Sequence, residues 1–262
     1  MPSSASSTGE LATGVHLSVN GAIATITLNI PSRHNALAGD DIEQLCQHLQ
    51  QVQSTPELRV LIVTGQGEKT FCAGAALDQL GSGSISGERF AEMTDQLAAI
   101  RIPTLCAFNG SAYGGGAEIG LACDFRIGIH GMRVFVPPAR IGLCYPVNGI
   151  ERFVTVLGVN TAKRLLLGSE EFAADELLRV GYLNHLVSRD ELVGTTQSLA
   201  ERMAGYAPLA LKAMKEICNR IALGQLDKIH ANAIAQACNA SDDLQEGFRA
   251  LQEKRSPVFA SK

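Results

Sequence analysis

Two short glycine-containing segments could place backbone donors around a ligand oxygen: FCAGAALDQL at 71–80 and NGSAYGGGAEIGLACD at 109–124. Each follows an apolar run of strand type and would present main-chain N–H groups at a loop or a helix N-terminus. Small residues keep Cβ atoms out of the way (Ala73, Gly74 and Ala75; Gly114, Gly115 and Gly116), so a ligand carbonyl can approach the backbone. Two such donors aimed at one oxygen stabilise a developing oxyanion, and losing one costs roughly 2.7–4 kcal/mol of transition-state stabilisation. Making an enolate from a thioester has that requirement. Taken singly, each cluster also fits plain turn chemistry or close helix packing. Nucleotide motifs do not fit: Gly114-Gly115-Gly116 is not G-x-G-x-x-G, and Gly65-Gln66-Gly67-Glu68-Lys69 lacks the P-loop form.

The elements that must carry these turns follow from periodicity. From Val15 the pattern alternates as HLSV, an Asn20-Gly21 turn and AIATITL, the form of a hairpin. Asp40 and Asp41 precede an apolar periodicity through Ile42, Leu45 and Leu49, predicting a helix that they cap. VLIVTG reads as a strand buried on both faces. GSGSISG at 81–87 reads as a mobile surface loop beside the site, too polar and glycine-rich to pack. A helix is predicted over 88–100, then strand, glycine turn and helix recur through TLCAFNG, SAYGGG, AEIGLAC and DFRIGI. This repetition predicts an α/β core with parallel strands. After about Gly149 strand signals fade and helices are predicted at 162–167, 173–180, 189–204, 209–222 and 242–254. The expected organisation is a disordered tail at 1–14, an α/β core at 15–200 and a helical region at 201–262.

Composition narrows the class. The 262 residues are 46% hydrophobic with a formal net charge of -4, enough for one large core and without the basic footprint of a nucleic-acid or membrane-surface binder. No apolar run approaches the roughly 20 residues of a membrane span. Seven scattered cysteines without a C-x-x-C pair suit reduced thiols in a cytoplasmic protein. The six histidines (His16, His34, His48, His130, His185, His230) form no ligand cluster, and no metal is expected.

Together the segments NIPSRHNAL (29–37), VLIVTGQGEKTFCAGAAL (60–77), IPTLCAFNGSAYGGGAEIGLACDFRI (102–127) and SDDLQEGFRALQEKRSPVF (241–259) resemble, in order and spacing, the signatures of the enoyl-CoA hydratase/isomerase (crotonase) family. The resemblance implies a crotonase-like spiral of repeated ββα units with a helical C-terminal region, assembled as a homotrimer or dimer of trimers. It implies an acyl-CoA substrate, with coenzyme A belonging to the substrate and no separate cofactor. The oxyanion donors would be the N–H groups of Ala75 and Gly115. Coenzyme A would run along Arg33 and the turn of Ala73, Ala75, Ala76 and Leu77, with Lys254 and Phe259 in the C-terminal stretch that packs near a neighbouring subunit's site. Glu118, three residues after Gly115, matches a catalytic carboxylate, and burial against apolar neighbours would raise its pKa toward general acid/base use. It would otherwise only complement the helix dipole.

One position departs from the pattern. Hydratases of the family carry a second glutamate twenty residues beyond the first, where this chain has Pro138, and a one-residue slip gives only Ala139. Hydration needs one group to deprotonate water and another to protonate carbon, so a lone carboxylate disfavours it. The segment GLCYPVNGI (142–150) resembles the methylmalonyl-CoA decarboxylase branch, which implies a carboxylate-orienting role for Tyr145, although that branch has histidine where this chain has Ala75. An ordinary core tyrosine is the alternative. The expected activity is handling of a thioester enolate, in its sharpest form decarboxylation of a 2-alkylmalonyl-CoA. Double-bond isomerisation or weak hydration with Glu118 as the only carboxylate is the alternative, and a non-catalytic acyl-CoA-binding scaffold a further one.

Overall fold

A computed structural model describes residues 12–260. Residues 1–11 of the expected tail lie outside the described residues, and Gly14, its last member, already pairs with Asn29 in a strand. The chain opens with the hairpin β1 (Gly14–Asn20) and β2 (Ile23–Asn29), antiparallel across the Asn20-Gly21 turn. Helix α1 (Gly39–Gln53) buries Ile42, Leu45, Leu49 and Val52, the stripe its period implies. Its N-cap position is Ala38 instead of an aspartate. Asp41 sits one turn inside, where its Oδ2 accepts the Ala38 N–H at 2.8 Å.

The site-bearing part alternates between two sheets. β3 (Val60–Gly65) is followed by β4 (Thr70–Cys72), α2 (Leu77–Ser82) and α3 (Gly87–Ala98). Next come β5 (Thr104–Ala107), β6 (Ser111–Tyr113) and α4 (Gly115–Ala122), then β7 (Phe125–Ile129), β8 (Arg133–Phe135) and α5 (Val147–Leu166). Each turn thus supplies one strand to a large sheet, one to a small sheet, and a helix. The remaining elements are β9 (Glu171–Ala173), α6 (Ala174–Arg179), β10 (His185–Val187), α7 (Leu192–Ala204), α8 (Pro208–Ala222), α9 (Lys228–Asn239) and α10 (Asp242–Glu253). The large sheet runs β1-β2-β3-β5-β7-β10, parallel from β2 onward, and the small one β4-β6-β8-β9, with β9 antiparallel. This is the α/β spiral of ββα units with a helical C-terminal region that the sequence predicts.

Three expectations change. GSGSISG is not an unpacked loop: Gly81 and Ser82 end α2, Ile85 is buried, and Ser86 Oγ caps α3 by accepting the Arg89 N–H at 3.1 Å. Strands do not cease after Gly149, since β9 and β10 complete the two sheets. Three residues are too few to show a period of two, and pairing to β8 and β7 supplies what local pattern cannot. Helix α9 forms where no helix is predicted, and α5 starts well before the predicted 162, with a break at Gly158.

The core fills the space between the sheets and α1, α3, α4, α5 and α7. Helices α8 to α10 differ, burying only Pro208, Ala231, Asp243 and Ala250. Lys215 of α8 ties this layer to the core, with Nζ 2.6 Å from Asp124 Oδ2 and 2.9 Å from the Ile102 carbonyl. Among the described residues no helix is long and apolar enough to cross a membrane.

Candidate active site

The two glycine-containing turns meet. After β4 the chain runs extended beside Leu37, whose N–H donates to Gly74 O at 2.8 Å and whose carbonyl accepts the Ala76 N–H at 2.9 Å. Successive peptide groups of an extended strand point to opposite sides, so the Ala75 N–H points away from Leu37. Gly74 has φ +86°, and a Cβ there would lie 2.8 Å from Gly115 N, so the position requires glycine for backbone conformation and for close approach. On the other side Gly115 is the first residue of α4, and a helix leaves its first N–H groups unpaired. Ala75 and Gly115 both line a cavity of about 230 Å³. Two backbone donors at one mouth, one on a helix N-terminus, can hold an anionic oxygen.

Glu118 lies on α4 one turn beneath this mouth, 1% exposed. The expectation of apolar neighbours around its carboxylate is corrected. Its Oε1 accepts from Thr94 Oγ1 at 2.8 Å and from Arg152 Nη1 at 2.6 Å, and its Oε2 accepts from the Tyr145 hydroxyl at 2.7 Å. A carboxylate offers about four lone-pair sites, and three are occupied. The partners come from two helices, α3 and α5, and from the segment just before α5 that carries Tyr145. On α3, Phe90, Ala91, Met93, Thr94 and Leu97 are buried, and Thr94 is the one polar residue among them. On α5, Asn148 and Arg152 are four residues apart, hence on one face, and both reach Asp95 of α3, at 2.6 Å each.

Tyr145 also lines the cavity, with its hydroxyl directed to Glu118. Burial, and then the Glu118 charge, push its phenol well above the ordinary range. It is therefore a proton-holding donor at neutral pH. Pro138 is buried in the cavity wall, so the position of the missing acid does face the site, while Ala139 is exposed. The rest of the wall is mostly apolar, from Phe90, Phe135, Ile141 and Leu143 among others.

The cavity opens into a cleft of about 1020 Å³ that shares Ala73, Ala75 and Leu77 with it and is also lined by Arg33 and Ala76. Arg33 pairs with Asp41 at 2.9 Å. Lys69, Arg133 and Arg189 add positive charge to the cleft; scattered in sequence, they gave no local signal. Lys254 and Phe259 line neither space. Lys254 caps α10 with φ +53°, and Phe259 sits in a separate groove against α8 and α10. Sequence reading also missed Thr94, Asp95, Asn148 and Arg152. The available signals were a threonine on an apolar helical stripe and an Asn-x-x-x-Arg spacing.

The family model for enoyl-CoA hydratase/isomerase matches residues 18–262. The chain is 30% identical over 249 residues to a short-chain-enoyl-CoA hydratase of Clostridium acetobutylicum, covering 92% of this chain and 95% of that one. It is 31% identical over 256 residues to a carnitinyl-CoA dehydratase of Salmonella enteritidis, covering 94% and 97%. Among solved structures, an enoyl-CoA hydratase from Bacillus anthracis superposes with TM-score 0.87 at 27% identity, covering 95% of this chain and 100% of that one. An enoyl-CoA hydratase/carnithine racemase from Magnetospirillum magneticum gives 0.89 at 26% identity, covering 97% of each.

Proposed function

The chain belongs to the enoyl-CoA hydratase/isomerase family, and from that footing we propose that it processes acyl-CoA thioesters through an enolate held by the Ala75 and Gly115 N–H groups. The acyl group would occupy the cavity, and the coenzyme A portion the cleft along Arg33, Ala73, Ala76 and Leu77. In the sharpest form the reaction is decarboxylation of a 2-alkylmalonyl-CoA. The observation that supports it most is the state of the cavity's acids. Among the described lining residues Glu118 is the only acidic group, its oxygens are already taken by three donors, and Pro138 stands where a second acid would be.

Decarboxylation places little demand on a base. The C–CO₂⁻ bond breaks, its electron pair passes through the α-carbon to the thioester oxygen, and CO₂ leaves. A carboxylate placed among apolar walls and near Glu118 is poorly solvated, and its loss relieves that cost. The charge arrives between two N–H donors, where it is stabilised. The Tyr145 hydroxyl would orient the departing carboxylate, and the α-carbon would then take a proton from solvent water.

A second reading is supported by the relatives named hydratase and dehydratase. Here Glu118 would act as the only carboxylate in addition or removal of water, or in a double-bond shift. Purified protein given methylmalonyl-CoA, ethylmalonyl-CoA and crotonyl-CoA separates the two: CO₂ release from the malonyl thioesters is expected, and consumption of crotonyl-CoA alone would replace decarboxylation by the second reading. Glu118→Gln should abolish the second chemistry and leave CO₂ release largely intact. Acyl-CoA binding with no turnover and no exchange of α-protons with D₂O would point to a non-catalytic scaffold. Assembly into trimers is a further proposal, supported by the exposed apolar side chains Ile229, Leu251 and Val258 on the helical layer.

A further inference from the structure

Behind Glu118 stands an arginine that the proposed chemistry does not use. Arg152 Nη1 is 2.6 Å from Glu118 Oε1 and 3.3 Å from Thr94 Oγ1, and Nη2 is 2.6 Å from Asp95 Oδ1. Its side chain is only 12% exposed, and it is absent from the cavity wall. Asn148 donates to the other oxygen of Asp95 at 2.6 Å, so the guanidinium is itself held by a fixed carboxylate. The fork divides the two oxygens of Glu118 between two environments. Oε1 is filled from the α3 and α5 side by Thr94 and Arg152, while Oε2 bears only Tyr145, which lines the cavity. Without Arg152, Oε1 would keep only Thr94, a hydroxyl with one hydrogen that also reaches the Ala91 carbonyl at 2.9 Å, so the charged guanidinium is the donor that fixes this oxygen.

We propose that Arg152 is a positioning residue: anchored by Asp95 and Asn148, it keeps Glu118 ion-paired and in one orientation, so that only Oε2 and the Tyr145 hydroxyl face the bound acyl group. The inference rests on the reading of the cavity as an acyl-thioester site. Arginine suits the task because its planar fork spans two carboxylates at fixed angles. A lysine ammonium keeps the charge but reaches as a single point.

A four-member cycle in the full-length protein tests this: wild type, Arg152→Gln, Glu118→Gln and the double variant. Urea unfolding is read first. Arg152→Gln should lower the midpoint, and adding Glu118→Gln should restore most of the loss, because the carboxylate left without its counter-ion is then gone. The second readout is exchange of the α-protons of butyryl-CoA with D₂O. Arg152→Gln should slow it by about 100-fold with butyryl-CoA affinity within about threefold, and should add nothing in the Glu118→Gln background. Arg152→Lys should recover about tenfold of that loss. Simple addition of the two stability losses, or exchange unaffected by Arg152→Gln, overturns the proposal. If wild type neither exchanges α-protons nor turns over any thioester, the acyl-thioester reading falls instead. The unfolding cycle needs no substrate and still decides whether Arg152 holds Glu118.

Discussion

Two arginine–glutamate clusters differ in burial and in the number of contacts they make. Arg255 grips Glu246 through both nitrogens, at 2.5 and 2.9 Å, and Glu246 also accepts the Val258 N–H at 3.0 Å. Arg152 gives Glu118 a single nitrogen at 2.6 Å. By contact geometry the first pair is the better one, yet its side chains are 37% and 15% exposed against 12% and 1% for the second. Water can replace Arg255, whereas nothing replaces Arg152. Removing one member of a buried pair leaves a charge without solvent or partner, and that penalty outweighs the number of hydrogen bonds lost. The C-terminal pair fastens a surface segment; the central one makes a buried carboxylate tolerable where chemistry can use it.

The contrast can be broken in three places. The largest effect is expected from matched substitutions at the arginines: Arg152→Gln should cost about 3–5 kcal/mol in urea unfolding, and Arg255→Gln should leave the midpoint unmoved. Equal losses would mean that burial does not separate the clusters. Next come two glycines. A Cβ on Gly115 would lie 2.4 Å from Phe90 Cε1, so Gly115→Ala should cost about 1–3 kcal/mol by overpacking and lower thioester turnover on the order of 100-fold by displacing the N–H. On α10, a Cβ on Gly247 has Phe259 Cε1 at 3.9 Å, an ordinary contact. Gly247→Ala should therefore be neutral or stabilise by up to about 1 kcal/mol, read by the same unfolding experiment.

The smallest effect concerns acid. Hydrogen bonds from Arg255, and then from the Val258 N–H, hold Glu246 down to about 2 from an ordinary 4.5. Because the folded pKa is the lower one, the stabilisation is complete above 4.5 and is lost as pH falls from there through 2. The exposed location keeps the change in overall stability slight. The Val258 amide proton, followed by NMR, should titrate near 2; a midpoint near 4.5 would show that the latch does not close in solution.

Local pattern accounts for much of the scaffold. The hairpin around Asn20-Gly21, the buried run of β3 and the stripe of α1 are all written in neighbouring residues, and they fold as read. Where the reading failed, the missing information lay elsewhere in the chain. His185–Val187 becomes a strand because β7 offers an open edge, and Ile85 is buried although the six residues around it in GSGSISG are glycine or serine. Lys69, Arg133 and Arg189 gather in one cleft from three distant segments.

The sequence by itself determined the family resemblance, the ββα repeat and the two small-residue turns, because the order of the motifs, the periods of strand and helix and the choice of small residues at a turn are all written in residues that are near neighbours in the chain. It also placed Pro138 where an acid was expected. Only the tertiary structure decided the surroundings of Glu118. Thr94, Tyr145 and Arg152 stand 24, 27 and 34 residues away from it, and they meet its carboxylate only when α3, α4 and α5 pack together. The electrostatics of a buried charge depend on what surrounds it in space, and no spacing along the chain encodes that.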